Sequence, residues 1–313
     1  MIVRWGLDAL PEVATARPFL VAGPRWNRLD LPAAARWTEV PSHRIEVPEG
    51  VDGIVAVGGG SAIDTAKAAS AASGLPLVSV PTTYAGAEWT PYFGVRDPDR
   101  RMRGGGGGAR LHAIVYEPCL TLDLPRETTG GTAMNALAHA AEALYVEGHN
   151  PESDAHALAG ARAIAEWLTR VLEDGSDLEA RTRLLEGACD AGAALGGSGL
   201  ALGHALAQVV GGRYGLPHGT LNGICLPAAL RFNAALAPEE VRRFGEAIGA
   251  PDDPAARVEE LAALSGPTRL RDLGVPEADL RELAASAAAR PGNRANPRPA
   301  DVDEIEALLR SVW

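Results

Sequence analysis

The chain has 313 residues, of which 22% are charged and 46% hydrophobic, and a formal net charge of −11. A chain of this length buries a large core and favours two domains, and its composition is that of a folded globular protein rather than a disordered one. The acidic balance argues against nucleic acid or an anionic membrane as partner, because both call for a basic surface.

The N-terminal run MIVRWGLDALPEVATARPF carries Asp8 and Glu12 and has no continuous apolar stretch, which predicts a cytoplasmic chain without a signal peptide. No apolar run approaches the roughly 18 residues of a membrane span. Cys119, Cys189 and Cys225 lack CxxC spacing and read as buried thiols in a reducing compartment.

Up to about residue 125 the chain shows short β-rich runs between turn residues. Arg17-PFLVAG-Pro24, DGIVAVGGG (52–60), PLVSVPTTY (76–84) and LHAIVYEP (111–118) are continuously apolar, the texture of parallel strands covered on both faces. SAIDTAKAASAASG (61–74) predicts a helix closed by Gly74, so strand, glycine turn, helix and strand form a βαβ unit. Gly58 to Gly60 end the strand and Ser61 opens the helix, which aims backbone N–H groups and a helix dipole at the sheet edge. That arrangement suits a pyrophosphate. It matches neither G-x-G-x-x-G nor a P-loop. Thr82 and Thr83 end the next strand at the same edge. Gly104 to Gly108, beside Arg100, Arg101 and Arg103, reads as a surface hairpin tip or as a lid over an anionic ligand.

Beyond Pro125 the pattern is helical, with candidates at about 127–147, 151–174, 178–195, 198–211, 219–235, 238–249, 276–288 and 301–312. The expected architecture is a parallel α/β domain over 1–125 and an all-α domain over 126–313. Two apolar helical stretches carry the most informative side chains. TAMNALAHAAEAL places Asn135 and His139 four residues apart on one helix face, and SGLALGHALAQVVGGRYGLPHGTLNG holds His204 and His218. An imidazole taken out of water needs a partner, a ligand or a reaction, and three together predict an active site.

GGGSAIDTAKA resembles the cofactor motif of the iron-containing (group III) alcohol dehydrogenase superfamily, which includes glycerol dehydrogenase and dehydroquinate synthase. Within it, PTTYAGAEWTPYFG, AMNALAHAAEALY and NPRPADVDEIEALLRSVW are most similar to maleylacetate reductases. The resemblance implies a dehydroquinate synthase-like fold, NADH or NADPH as cofactor, an interdomain active site and reduction of an enone or keto dicarboxylate. Position by position it implies Gly59, Gly60, Ser61, Asp64, Thr82 and Thr83 on the cofactor, and His139, His204, His218, Tyr84 and Asn135 at the reaction. Metal-dependent relatives hold their ion with an aspartate and three histidines. Here the aspartate position is Asn135, so any metal would fall to His139, His204 and His218, and none is expected to be required.

Two further departures stand out. Gln208 occupies a usual histidine position and cannot exchange protons near neutrality. The stretch from Gly23 to Gly50 is short and holds Pro24, Pro32, Pro41 and Pro48, which predicts a shortened cofactor domain. Arg101, Arg103 and Arg213 are candidate partners for a carboxylated small-molecule substrate, and the chain is expected to act as a homodimer. A metal-dependent alcohol dehydrogenase or aldehyde reductase is the alternative on the same fold, as is a non-redox dehydroquinate synthase-like or degenerate homologue.

Overall fold

The computed structural model describes residues 1–99 and 101–313; Arg100, grouped above with the glycine tract, lies outside the described residues. The chain divides into two compact units, 1–83 with 87–121 and 84–86 with 122–313.

The first unit runs β1 (Ile2–Trp5), α1 (Leu10–Val13), β2 (Pro18–Ala22), β3 (Ala35–Trp37), β4 (Gly53–Gly58), α2 (Gly60–Ser73), β5 (Pro76–Pro81), β6 (Phe93–Arg96), β7 (Met102–Gly106) and β8 (Arg110–Tyr116). Six strands form one parallel sheet in the order β1-β8-β5-β4-β2-β3. Phe19, Val21, Ile54, Ala56 and Leu77 pack with Ile63, Ala66 and Ala69 of α2 on one face. The intervening Leu20, Ala22, Val55, Val57, Val78 and Val80 turn to the other face, under Leu10, Val13, Trp26 and Leu31. Covering both faces is what makes the strands read as unbroken apolar runs. The second cover is thin: four-residue α1, a 3₁₀ segment at Pro24–Arg28 and irregular chain.

The second unit runs α3 (Arg126–Ala143), α4 (Pro151–Glu173), α5 (Leu178–Ser198), α6 (Leu202–Tyr214), α7 (His218–Asn233), α8 (Pro238–Ala247), α9 (Pro254–Ala263), α10 (Leu280–Ala288), α11 (Pro291–Arg294) and α12 (Val302–Ser311). α3 is its centre: every residue from Ala133 to Ala143 is buried. Helices α4 and α5 approach closely because Gly160 lacks a Cβ, which would lie 2.8 Å from Gly187 O. α6, α7, α10 and α12 share a second apolar core. Among the described residues no single helix is long and apolar enough to cross a membrane; only α5 and α6 together, bent by 100°, reach that length and apolarity.

The strand runs and most helices fall where the apolar pattern puts them, and Gly74 closes α2 in the left-handed conformation at φ 72°. The differences have physical causes. β1 and three-residue β3 are too short and too exposed to carry a pattern. Gly104–Gly106 are not a hairpin tip: they belong to β7, paired antiparallel with β6, and beyond the pairing the Asp97 N–H donates to Arg101 O at 3.0 Å. Close neighbours explain part of the tract: Cβ atoms at Gly106 and Gly107 would stand 3.0 Å from the Phe93 ring and 2.9 Å from the Tyr92 ring, and one at Gly105 2.9 Å from Phe93 O. The expected joint near 198 lies later, with α5 running through Ser198 and α6 opening at Leu202. α9 and α11 had no counterpart among the expected helices. Cys119, expected to be buried, is exposed.

Candidate active site

In the first unit the site begins at the glycine turn. Gly58 takes φ 151°, open to glycine, and a Cβ there would stand 2.7 Å from Ala62 Cβ. At Gly59 a Cβ would stand 2.8 Å from Thr83 Cγ2, so this glycine lets the two strand ends close up. Gly59 caps α2 without a side-chain hydrogen bond, and helix geometry leaves the first-turn N–H groups of Gly60 and Ser61 without intrahelical acceptors. The Thr82 backbone N–H donates to Gly58 O at 3.0 Å, which locks the neighbouring strand end to the turn. Backbone donors at a helix N-terminus behind a glycine are a cradle for a pyrophosphate. Asp64 is engaged otherwise: it pairs with Lys67 Nζ at 3.2 Å and accepts from Gly94 N–H at 3.3 Å, while Lys67 donates to Tyr92 O at 2.8 Å. These two residues tie the β6–β7 hairpin to α2.

In the second unit α3, α6 and α7 bring His139, His204 and His218 together. His139 and His204 stack with ring centroids 4.8 Å apart, and His218 tilts against His204 at 5.7 Å. Gly86, at φ 73°, makes room for this, because a Cβ there would lie 3.2 Å from His139 Nδ1. Asn135 Nδ2 donates to Ala85 O at 2.8 Å and faces His139 Nε2 at 3.4 Å. Its Oδ1 accepts from Asn222 Nδ2 at 2.5 Å, and the same amide faces His218 Nε2 at 3.0 Å. His204 Nδ1 lies 2.8 Å from Glu142 Oε2. Burial, then His204 and His218, holds the His139 imidazole well below the ordinary histidine range.

Three buried atoms of this group, His139 Nδ1, His204 Nε2 and Asn222 Oδ1, have no hydrogen-bond partner among the described residues. Each such atom costs about 1–3 kcal/mol relative to a satisfied one. Concentrated in one group, they make a polar ligand there unusually favourable.

Asn222 and Glu142 were not among the expected site residues. Asn222 follows His218 by four, the spacing of Asn135 and His139, and Glu142 follows His139 by three. Both signals are local and readable. Tyr84 is placed differently from the expectation: its hydroxyl accepts from buried Arg181 Nη1 at 3.3 Å, and Arg181 also reaches Thr129 at 3.4 Å. Arg213 is an ion-pair partner of Glu282 at 2.7 Å and Asp279 at 3.3 Å, and Arg103 of Asp97 at 2.5 Å. Gln208 lies one turn after His204 on α6 and is part-buried.

The donor set does not fit a metal as arranged. Among the described residues no group of three or more His, Cys, Asp and Glu side chains is placed to hold one. Imidazoles stacked at 14° do not aim their lone pairs at one point, and Asn135 spends its only acceptor oxygen on Asn222.

Residues 129–313 match the Fe-containing alcohol dehydrogenase family, C-terminal part, and residues 45–113 match iron-containing alcohol dehydrogenase. The chain is 40% identical over 265 residues to maleylacetate reductase of Burkholderia cepacia, covering 84% of this chain and 74% of that protein. Among solved structures, maleylacetate reductase from Agrobacterium tumefaciens superposes at TM-score 0.87 with 28% identity, covering 100% of this chain and 95% of that one. Iron-containing alcohol dehydrogenase from Corynebacterium glutamicum superposes at 0.88 with 27% identity, covering 100% and 94%. With the glycine cradle and the histidine group in the family's motifs, the chain belongs to the iron-containing alcohol dehydrogenase family, as an NAD(P)-dependent oxidoreductase of the maleylacetate reductase type.

Proposed function

We propose that the chain reduces the conjugated carbon–carbon double bond of a maleylacetate-like keto dicarboxylate, with NADH or NADPH as donor and without an essential metal. The histidine group with its three unsatisfied buried atoms carries this reading, supported by the 40% identity to a maleylacetate reductase.

A bound nicotinamide supplies a hydride to the alkene carbon β to the ketone. The chain's residues do the rest. Gly59, Gly60 and Ser61 present the helix end of α2 to the pyrophosphate, with Thr82 and Thr83 on the adjoining strand end. His139 and His218, each with a ring nitrogen facing an amide donor, keep a proton on Nδ1 and offer it as a hydrogen bond to the enolate oxygen. His204 returns a proton to the carbon of the enolate, the step for which Gln208 is unfit. Arg101 is the arginine of the expected three that remains for a substrate carboxylate.

The test is oxidation of NADH and NADPH against maleylacetate, 2-ketoacids and simple aldehydes. Maleylacetate should be turned over with the highest kcat/KM. A preference for aldehydes that chelators abolish would instead identify a metal-dependent alcohol dehydrogenase, and failure to bind either nicotinamide would identify a non-redox member.

A further inference from the structure

Glu142 is a fully buried carboxyl that the reading above leaves without a task. It projects from α3 onto the start of α6. Its Oε2 accepts from the Ala201 backbone N–H at 2.6 Å and faces His204 Nδ1 at 2.8 Å, while its Oε1 accepts from the His204 backbone N–H at 2.9 Å. Ala201 is the N-cap of α6 and has no side chain to satisfy that end, so Glu142 acts as a cap borrowed from another helix. Gly203 gives it room, since a Cβ there would stand 2.8 Å from Oε1. A backbone N–H donor on each of its two oxygens is the hydrogen-bond set of an ionised carboxylate, which has no proton to give. The contact with His204 therefore requires a proton on Nδ1, and Nε2 is left bare. Nε2 is buried, has no hydrogen-bond partner among the described residues, and belongs to the ring between His139 and His218. Burial, then the Glu142 charge, pushes the neighbouring Cys225 thiol up to about 12, so this thiol stays protonated beside it.

We propose that Glu142 is the positioning residue that holds His204 as the Nδ1–H tautomer, so that Nε2 is the atom that exchanges the proton with substrate. This rests on the reduction proposed above. The Nε2–H bond of the imidazolium breaks, a C–H bond forms at the enolate carbon, and the neutral ring keeps its Nδ1–H on Glu142. A proton from solvent resets Nε2.

The tautomer is read directly from ring-nitrogen shifts of [¹⁵N]histidine-labelled, cofactor-free protein, with the His204 signal identified by its loss in His204→Ala. The expected state is protonated Nδ1 and bare Nε2. In Glu142→Gln the amide can donate to Nδ1 and should invert the ring to Nε2–H. Its kcat for maleylacetate should fall roughly 10²-fold or more, with the KM for NADH little changed, at temperatures well below melting. Glu142→Asp keeps the charge and should retain the wild-type tautomer and more of kcat. A neutral wild-type His204 with its proton on Nε2 and none on Nδ1 overturns the proposal whether or not the variants fold, and so does an inverted ring with unaltered kcat. Absence of maleylacetate turnover in the wild-type enzyme would instead defeat the reduction, and the ring shifts would still decide the tautomer.

Discussion

The glycine turn of the sheet unit and the histidine group of the helical unit are built from opposite materials. The turn works through backbone: a glycine at φ 151°, a second that admits Thr83, and helix N–H groups that no side chain caps. The histidine group works through side chains from α3, α6 and α7, and one ring nitrogen of each histidine faces Asn135, Asn222 or Glu142. Backbone chemistry is confined to consecutive residues and so leaves a compact motif. Side-chain chemistry is assembled across 87 positions, from Asn135 to Asn222, and leaves only spacings.

The comparison breaks most sharply at Gly60. A Cβ there meets only Ala87 Cβ, at 3.8 Å, so Gly60→Asp should fold. Its carboxylate would face the pyrophosphate at close range, where like charges repel by about 4 kcal/mol at an effective dielectric of 20. NADH affinity measured by fluorescence should drop by roughly 10³-fold. An unchanged affinity in a folded variant would reduce the turn to a structural element.

The histidine group should fail in the other parameter. His204→Ala and His218→Ala should each lower kcat by roughly 10²-fold or more while NADH binding changes little, because they remove a proton donor or an enolate donor. Normal turnover combined with a lowered Tm in both variants would make them core histidines and remove the basis of the proposed reaction.

How much of this was legible follows the same division. The β4–α2–β5 unit, its closing Gly74 and the long helices are written in periodicity, because one burial pattern dictates each. β6–β7 is not, because Gly105 and Gly106 are fixed by their approach to Phe93 across the pair, which no local pattern reveals. His139, His204 and His218 were readable as unusual polar residues in apolar helices, and the resemblance carried them to one site. Tyr84 and Arg213 fit the motifs equally well, yet their partners Arg181 and Glu282 lie 97 and 69 positions away and decide their placement. Glu142 was open to detection three residues from His139, but an i, i+3 glutamate on a helix ordinarily faces solvent. Only the docking of α6 gives it two backbone N–H groups to hold.

A smaller effect separates the two regions in stability. His139 is kept neutral in the folded state, chiefly by burial, whereas in the unfolded chain it titrates near the ordinary value of 6.5. Above that value the folded and unfolded chains bind the same protons there. Below it the unfolded chain takes up a proton that the folded one refuses, and stability is lost progressively, by at most about 1.4 kcal/mol per pH unit for one such group. His139→Phe removes the titration, and urea midpoints on the acid side of about pH 6.5 should then fall less steeply than in the wild type. Parallel slopes would mean that His139 is protonated in the folded protein.

The smallest expected effect is that of removing metal. Asn135 offers an amide and not a carboxylate, and that amide is committed at both ends, Nδ2 to Ala85 O and Oδ1 to Asn222. Three neutral imidazoles without an anionic ligand hold a transition metal less strongly than the same set with a carboxylate, and two of them are stacked rather than convergent. The purified protein should therefore carry well under one equivalent of zinc or iron by elemental analysis, and chelators should leave its reductase activity intact. Asn135→Asp sharpens the point. It restores the carboxylate but sets it against the Ala85 carbonyl, so it should raise the metal content while lowering turnover. Stoichiometric metal in the wild type, with activity lost on chelation and restored on reloading, would turn His139, His204 and His218 from hydrogen-bonding groups into ligands. The histidine group would then work through an ion instead of through the tautomers that Glu142, Asn135 and Asn222 impose.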